Sequence, residues 1–415
     1  MRRGPVSSGP AAVIIGLDCI TGLQTARLLS RRHVRVVGIA DNTRHFAART
    51  NACREIVHAD TSGPQLLDAL ARLATRLPDG GVLVPCSDNI VRVLSAHRSR
   101  LHEGYRLALP DHDVVEMLMS KQHLHRFAEQ HGFRVPATFE LHDRGDLQRS
   151  IDRLRFPCVL KPVFKDLYWI ERSSAKAYKA TTADELVRLY EMCSEWSRHL
   201  MVQEWIEGPE TELYSCNVYF DRAARPLATF VARKIRQWPP QTGTSALGVE
   251  CRADEVLRET VRLFETVRYH GLGYVEMKRD MRTGEFVLIE PNVGRPTGRS
   301  AIAEAGGVEL LHTMYSDLTG MPLPEARTQT YGDAKWIYLR HDLQAAVHAW
   351  RRGELSFGQW FRTMRGPKAY AVASLHDPWP FLHDIRQIIG KGFRHLAGRF
   401  TKKPKAIGRT KTRPT

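Results

Sequence analysis

Short apolar runs, each followed by a stretch of helical period, mark the first hundred residues. Ala12–Gly16 is continuously apolar, as a strand covered on both faces must be. Thr21–Arg32 has helical period, Val34–Ile39 is a second strand and Ile56–His58 a third. The pattern repeats with a helix over Pro64–Arg76, a strand over Val82–Pro85 and a helix over Asn89–His97. Strand, helix and strand in succession imply right-handed crossovers, so about residues 10–112 are expected to form a Rossmann-like parallel sheet.

From about residue 113 the pattern changes. Val114–Gln130 reads as one helix ending at His131-Gly132, and short strands follow at Cys158–Pro162, Ala175–Ala180 and His199–Trp205. A helix over Ala183–Trp196 separates the last two. Further strands are predicted at Thr211–Phe220, Arg225–Lys234, Gly273–Arg279 and Phe286–Pro291, with a helix over Asp254–His270. The turn Thr283-Gly284 joins the last two strands as a hairpin. Strands paired by tight turns indicate an antiparallel α+β region distinct from the α/β region before it.

Charge changes the picture only at one end. The 415 residues carry 61 Lys+Arg against 45 Asp+Glu, a formal charge of +16. Ten of the Lys/Arg, with no acid, lie in residues 385–415, which leaves +6 for residues 1–384. A nucleic-acid binder needs a basic face on a folded domain, and this distribution argues against one. The seven cysteines are widely spaced without a C-x-x-C, which favours free thiols in a reducing compartment over disulfides or zinc. Arg2-Arg3 ahead of Ala11–Leu17 imitates a signal peptide, but the apolar run stops at Asp18 and is read as a strand. No stretch reaches bilayer-spanning length.

Candidate chemistry centres on the hairpin. In Gly273-Tyr-Val-Glu-Met-Lys-Arg-Asp280 and Phe286-Val-Leu-Ile-Glu-Pro-Asn292, Glu276 and Glu290 can share a face with Asn292 beside them. Three such oxygen ligands suit a hard divalent cation, and Mg2+ characteristically combines one or two carboxylates with phosphate. Glu290 lies in an apolar run, a costly place for an uncompensated carboxylate; the plainer alternative is a surface hairpin with ordinary acids. Lys161 ends the apolar strand Phe156–Leu160, and Lys121 follows Ser120 at a helix start. Val202–Glu210 runs from a strand into a Gly-Pro turn, where backbone groups can meet an adenine edge. Gly16 and Gly22 flank the first turn without the G-x-G-x-x-G spacing, so a dinucleotide is not expected although Asp41 ends the second strand. Ser87-Asp88-Asn89 lies just past a strand, where open α/β sheets bind ligands; capping of the next helix is the alternative.

In this order, Lys121, Lys161-Pro162, Gln203–Glu210, Lys234, Glu276 and Glu290-x-Asn292 resemble the ATP-grasp superfamily, over about residues 10–325. The arrangement is most similar to its carboxylate–amine ligases, alongside D-alanine–D-alanine ligase, biotin carboxylase and carbamoyl-phosphate synthetase. The resemblance implies a Rossmann-like pre-ATP-grasp domain (1–112), a small lobe (113–198), a large lobe (199–325) and an accessory segment with a basic tail (326–415). It implies ATP and Mg2+, or Mn2+, as cofactors. Lys121 and Lys161 would hold phosphates, Gln203, Glu204 and Ile206 would surround adenine, and Glu210 would take the ribose. Lys234 would reach the terminal phosphates, in competition with Arg233 and Arg236. Glu276, Glu290 and Asn292 would hold the metal, with Arg295 near the acyl phosphate. Ser87, Asp88, Asn89 and Arg299 are the expected substrate contacts, and pairing of Arg299 with Glu304 or Glu309 is its structural alternative. The interval Val163–Ala175 departs from the family pattern in having no glycine, so Lys165, Ser173 and Ser174 would have to supplement backbone amides over ATP.

The implied reaction is ATP-dependent joining of a carboxylate to an amine, with release of ADP and phosphate. The alternatives are a nucleotide-binding protein without turnover and an enzyme that activates bicarbonate or carbamate. Expected partners are a small-molecule carboxylate and amine, without nucleic acid, in the cytoplasm. A homodimer stays open, as does peripheral membrane contact through residues 381–415, against plain packing and disorder of that tail. Trp336–Tyr338, Trp350, Trp360 and Phe361 indicate a packed accessory segment, and Thr242–Ser245 reads as a flexible stretch that could line the site.

Overall fold

A computed structural model of the chain describes residues 9–163, 169, 172–173, 177–197, 199–240 and 243–387. The first sheet is built from β1 (Ala11–Ile15), α1 (Ile20–Arg31), β2 (Val36–Ala40), β3 (Glu55–His58), α2 (Gln65–Ala74), β4 (Gly81–Pro85), α3 (Asp88–Ala96) and β5 (Tyr105–Arg106). Its five strands run parallel in the order β3-β2-β1-β4-β5. Every residue of β1, β2 and β4 is buried, which is why their sequences are unbroken apolar runs rather than alternating ones. Chain order reverses beside β1, so the crevice at the ends of β1 and β4 is the ligand-binding position of such a sheet. A Cβ on Gly22 would lie 2.4 Å from the Gly16 carbonyl oxygen, so this glycine serves the close approach of α1 to the turn after β1.

The helix expected over Val114–Gln130 is two helices, α4 (His112–Met119) and α5 (Lys121–Gln130). Ser120 between them has extended backbone, and its Oγ accepts from the His123 N–H at 3.3 Å. A serine cap outcompetes helix continuation there and places Lys121 at the first residue of α5. A four-stranded antiparallel sheet follows, from β6 (Thr138–Leu141), α6 (Arg144–Ile151), β7 (Cys158–Pro162), β8 (Tyr178–Ala180), α7 (Ala183–Ser194) and β9 (Leu200–Glu204), in the order β6-β9-β7-β8. It has its own core, including Leu141, Leu147, Cys158, Leu160, Leu186 and Val202. β6 and α6 were not among the expected elements.

The third sheet comprises β10 (Leu213–Phe220), β11 (Pro226–Trp238), β12 (Thr244–Glu250), α8 (Asp254–Thr266), β13 (Gly271–Arg279), β14 (Phe286–Val293), α9 (Ala301–Ala305), α10 (Leu310–Thr319), β15 (Lys335–Ile337), α11 (Leu339–Arg351), α12 (Phe357–Thr363) and β16 (Lys368–Tyr370). Its strand order is β14-β13-β10-β11-β12-β15-β16. Two expectations are corrected. Thr244 and Ser245 begin strand β12 rather than a flexible stretch, and β11 runs on to Trp238 to pair with them. Within the expected accessory segment, β15 and β16 extend the same sheet. Trp336 and Tyr338 are buried as expected of a packed segment, whereas Trp350 and Phe361 are exposed.

The first and third sheets share continuous apolar cores; Ile14 and Val84 belong to one cluster with Phe230, Ile302 and Trp336. Asp377 clamps them together. Its Oδ2 accepts from Arg27 Nε at 2.8 Å and from Thr50 Oγ1 at 2.5 Å, and its Oδ1 accepts from the Asn51 N–H at 3.0 Å. No described helix is long and apolar enough to cross a membrane. Of the tail invoked for membrane contact, residues 388–415 lie outside the described residues.

Candidate functional site

The site is built on one face of the third sheet. Glu276 on β13 is the register partner of Glu290 on β14 and of Ser215 on β10, while Asn292 stands opposite Tyr274. Ser215 in turn pairs with Ala232 on β11, and alternation puts Lys234, two residues on, on the same face. Lys234 Nζ lies 3.7 Å from Glu276 Oε1 and 3.4 Å from Gln237 Oε1. Arg299 Nη2 donates to Glu276 Oε1 at 3.2 Å and Ser215 Oγ at 3.3 Å, and its Nη1 donates to Ser245 Oγ at 3.1 Å. Both cations are buried. Burial pushes the Glu276 carboxyl up, but Lys234, Arg299 and Arg295 outweigh it and hold the group below the usual carboxylate range. Burial lowers Lys234, against the attraction of Glu276. The alternative pairing for Arg299 does not occur; Arg32 takes Glu309 at 3.0 Å and Glu304 at 3.7 Å.

Glu290 differs from its expected depth: its side chain is open to water. It nevertheless titrates upward, because protein atoms crowd it and Glu276 faces it across the strand. Among the described residues it makes no hydrogen bond. Two carboxylates directly opposite on neighbouring strands repel, and the close cations, Lys234 and Arg299, both sit on Glu276 rather than on Glu290.

Arg295 ties this face to the first sheet. Its Nη2 donates to Asn292 Oδ1 at 2.7 Å, its Nη1 to the Tyr274 hydroxyl at 3.1 Å, and its Nε to Asp88. Burial works against its charge, but Tyr274 and Asp88 prevail and keep it protonated. Gly294 before it has φ +69°, and a Cβ there would meet Leu109 at 2.2 Å, so the tight turn that aims Arg295 requires glycine. Of the three residues expected at the end of β4, only Asp88 is drawn into this network. Ser87 caps α3, its Oγ accepting from the Ile90 N–H at 3.4 Å, and Asn89 Nδ2 donates to the Ser62 carbonyl at 3.0 Å.

The four-stranded sheet contributes from the other side. Lys161 Nζ donates to Gln203 Oε1 at 2.6 Å, and Gln203 Nε2 donates to Thr138 Oγ1 at 2.9 Å, so the Gln203 side chain orients the lysine. Burial, with Lys121 nearby, pushes Lys161 down to about 8, opposed by Glu290. Lys121 itself is exposed. Glu204 accepts from Arg282 Nη2 at 2.8 Å. The Trp205 ring lies 4.8 Å from Lys179 Nζ and 5.0 Å from Lys278 Nζ. Ile206 is buried, and among the described residues its N–H has no acceptor. Glu210 accepts from the Gln237 N–H and from Gln237 Nε2, both at 3.2 Å. Lys165 and Ser174 lie outside the described residues, and Ser173 Oγ shares a 2.7 Å hydrogen bond with the Tyr178 hydroxyl.

Ser215, Tyr274, Gln237 and Arg282 were not anticipated, and Ser245 only as part of a stretch that could line the site. The four strand residues become visible only when a strand is paired with its neighbour, and Arg282, in the turn after β13, only through its contact with Glu204. Among the described residues no group of three or more His, Cys, Asp or Glu is placed to hold a metal ion by itself. Glu276, Glu290 and Asn292 offer only oxygen donors, a chemistry that suits Mg2+ completed by phosphate and water rather than zinc.

No family model matches the chain. It is 25% identical over 263 residues to D-aspartate ligase of Enterococcus faecium, covering 60% of this chain and 61% of the relative. It is 31% identical over 160 residues to D-alanine–D-alanine ligase of Ralstonia pickettii, covering 38% of this chain and 46% of that one. The chain thus matches less than two thirds of the length of either. Among solved structures, N5-carboxyaminoimidazole synthetase from Staphylococcus aureus in complex with ADP superimposes with a TM-score of 0.60 at 14% identity, over 78% of this chain and 81% of that one. The biotin carboxylase domain of 2-oxoglutarate carboxylase from Hydrogenobacter thermophilus, with MgADP and bicarbonate, gives 0.58 at 14% identity over 77% and 72%.

Proposed function

The chain has the ATP-grasp fold and sequence similarity to amino-acid ligases, and from that premise we propose that it is an ATP- and Mg2+-dependent carboxylate–amine ligase. The observation that carries the reading is Glu276, fixed between Lys234 and Arg299 and directly across from Glu290, which has no hydrogen bond among the described residues. Glu276, Glu290 and Asn292 would hold Mg2+, or Mn2+, which when bound would offset the charge of the ATP phosphates.

The remaining work belongs to the chain's own groups. Lys161 and Lys121 approach from one lobe and Lys234 from the other, so the triphosphate is drawn between them. The Ile206 N–H, which has no acceptor among the described residues, would donate to the adenine edge, with Glu204 and Glu210 nearby in the chain. Arg295, already paired with Asn292 and Asp88, is the cation for the reacting carboxylate, and Arg299 keeps Glu276 ionised. A substrate carboxylate oxygen attacks the terminal phosphorus, and the bond from that phosphorus to ADP breaks, leaving an acyl phosphate. The amine nitrogen then attacks the acyl carbon, loses a proton, and phosphate departs. Catalysis of this kind is positioning and electrostatics, without a nucleophilic side chain.

Amino-acid substrates are favoured by the two sequence relatives. A homodimer and contact of residues 381–415 with a membrane stand as further proposals. The test is a screen of amino acids, sugar acids and bicarbonate, each with and without amines, for ADP release. The reading expects Mg2+-dependent release that requires both a carboxylate and an amine. Release with bicarbonate alone would move the assignment to bicarbonate activation, and ATP binding without release in any pair would mark a nucleotide-binding protein.

A further inference from the structure

Large apolar side chains left exposed are concentrated in one region. Among the described residues fourteen are exposed, and ten of these fall between Leu343 and Ile385. On α11, Leu343, Val347 and Trp350 recur at helical spacing and are 44%, 42% and 59% exposed; on α12, Phe357 and Phe361 are 62% and 52% exposed. The two helices enclose an apolar hollow of about 160 Å3 lined by Leu343, Val347, Trp350, Leu355, Phe357 and Trp360. A monomer rarely shows water so many aromatic and branched groups together unless something covers them.

Charge identifies what covers them. Arg351 and Arg352 at the end of α11, Arg362 on α12 and Arg365 just after it are all exposed, and the Arg365 guanidinium lies 5.6 Å from the Phe361 ring centroid. From 339 to 370 there are only two acids. Asp342 is buried and bound to Arg236 at 2.7 Å and to Trp360 Nε1 at 2.9 Å, and Glu354 is bound to Arg352 at 2.6 Å. Residues 388–415 then add nine Lys/Arg and no acid. Such a rim opposes both a second copy of the chain and its own tail, since either would bring like charges together.

We propose that the α11–α12 face docks on an anionic phospholipid bilayer, with Trp350, Phe357 and Phe361 entering the headgroup region and the arginine rim meeting lipid phosphates. Aromatic and aliphatic groups beside cations are the composition of an interfacial contact, and two weak signals together anchor where one does not. The docking is independent of the ligase reading, because Trp350, Phe357 and Phe361 lie outside the Glu276 site.

The full chain should cosediment with phosphatidylcholine vesicles containing phosphatidylglycerol, and bind roughly tenfold or more weakly when that lipid is omitted or salt is raised to about 0.5 M. A Trp350→Ser/Phe357→Ser/Phe361→Ser variant should lose roughly tenfold or more of the binding while its nucleotide affinity stays that of the wild type. An Arg362→Glu/Arg365→Glu variant, which leaves the apolar groups in place, should lose a comparable factor and guards against misfolding of the first. Equal binding to neutral and anionic vesicles, no binding to either, or wild-type binding by both variants would overturn the proposal. So would a wild-type dimer in solution that the triple variant abolishes, which would give the face to a second copy.

Discussion

The lysine at the end of β7 makes the sharpest prediction about nucleotide binding. Lys161 is desolvated and donates to Gln203 at 2.6 Å, and it titrates near 8. Bound phosphate would place negative charge beside Lys161, so ATP binding should raise this value and take up a proton. If only the ammonium form binds phosphate, about nine-tenths of the protein is competent at about pH 7 and about one-tenth at about pH 9. The dissociation constant for MgATP should therefore rise about tenfold over that interval, and binding at about pH 8 should take up about half a proton. Calorimetry in buffers of different ionisation enthalpy reads the proton directly. Lys234 is also depressed by burial, so the discriminating variant is Lys161→Arg, whose guanidinium stays charged throughout. It should flatten most of the rise. An unchanged rise in Lys161→Arg, or no proton uptake by the wild type near pH 8, would refute the reasoning. The sign for stability is fixed by the same shift. Because the folded value lies below the unfolded one, the unfolded chain holds more protons between about pH 8 and 10.5, and Lys161 makes the fold more stable as pH rises through that window.

Replacing Glu290 by Gln removes the cross-strand repulsion with Glu276, so the nucleotide-free protein should gain about 0.2–1 kcal/mol in urea unfolding while Mg2+-dependent ADP release is lost; a loss of stability would contradict the repulsion. Arg299→Lys keeps the charge but cannot reproduce the fork to Ser215, Ser245 and Glu276, and kcat/KM should fall by roughly one to two orders of magnitude, with near-wild-type kinetics counting against the need for that fork. Asp377→Ala leaves the Arg27 guanidinium buried beside Thr50 without its partner, at a cost of about 3–5 kcal/mol in denaturant unfolding; a cost under about 1 kcal/mol would show that the clamp between the first and third sheets is dispensable.

What the sequence makes legible follows from how local each signal is. β1, β2 and β4 are covered on both faces, so their unbroken apolar runs stand out. The β13–β14 hairpin is marked by Thr283-Gly284 and by two acids whose face depends only on alternation. β6 is hidden because Thr138–Leu141 owes its strand state to a distant partner, Leu200–Gln203, and β12 because Thr244–Glu250 pairs with Ala232–Trp238, part of which was not itself read as strand. Polar and small residues there resemble a loop until the neighbour is known. Ser120 splits the predicted helix because a cap and a helix interior are both open to serine, and the sequence period of α4 and α5 is the same on either side. The partners of Arg299 were not readable for the same reason as β12: Ser215, Ser245 and Glu276 sit on three strands and meet only through register. Asp88 was visible as a residue past a strand end, but its contact with Arg295 spans the first and third sheets and has no local signature.

The central claim is that a substrate carboxylate is phosphorylated before the amine attacks. Once a turning-over pair is known, the reaction should be run to completion with the carboxylate labelled with 18O in both oxygens, and the released phosphate examined by mass spectrometry. Attack of that carboxylate on the terminal phosphorus of ATP predicts one labelled oxygen in each phosphate and none in ADP. Phosphate free of label, or label appearing in AMP, would contradict the acyl-phosphate route and with it the role assigned to the Glu276–Glu290 face.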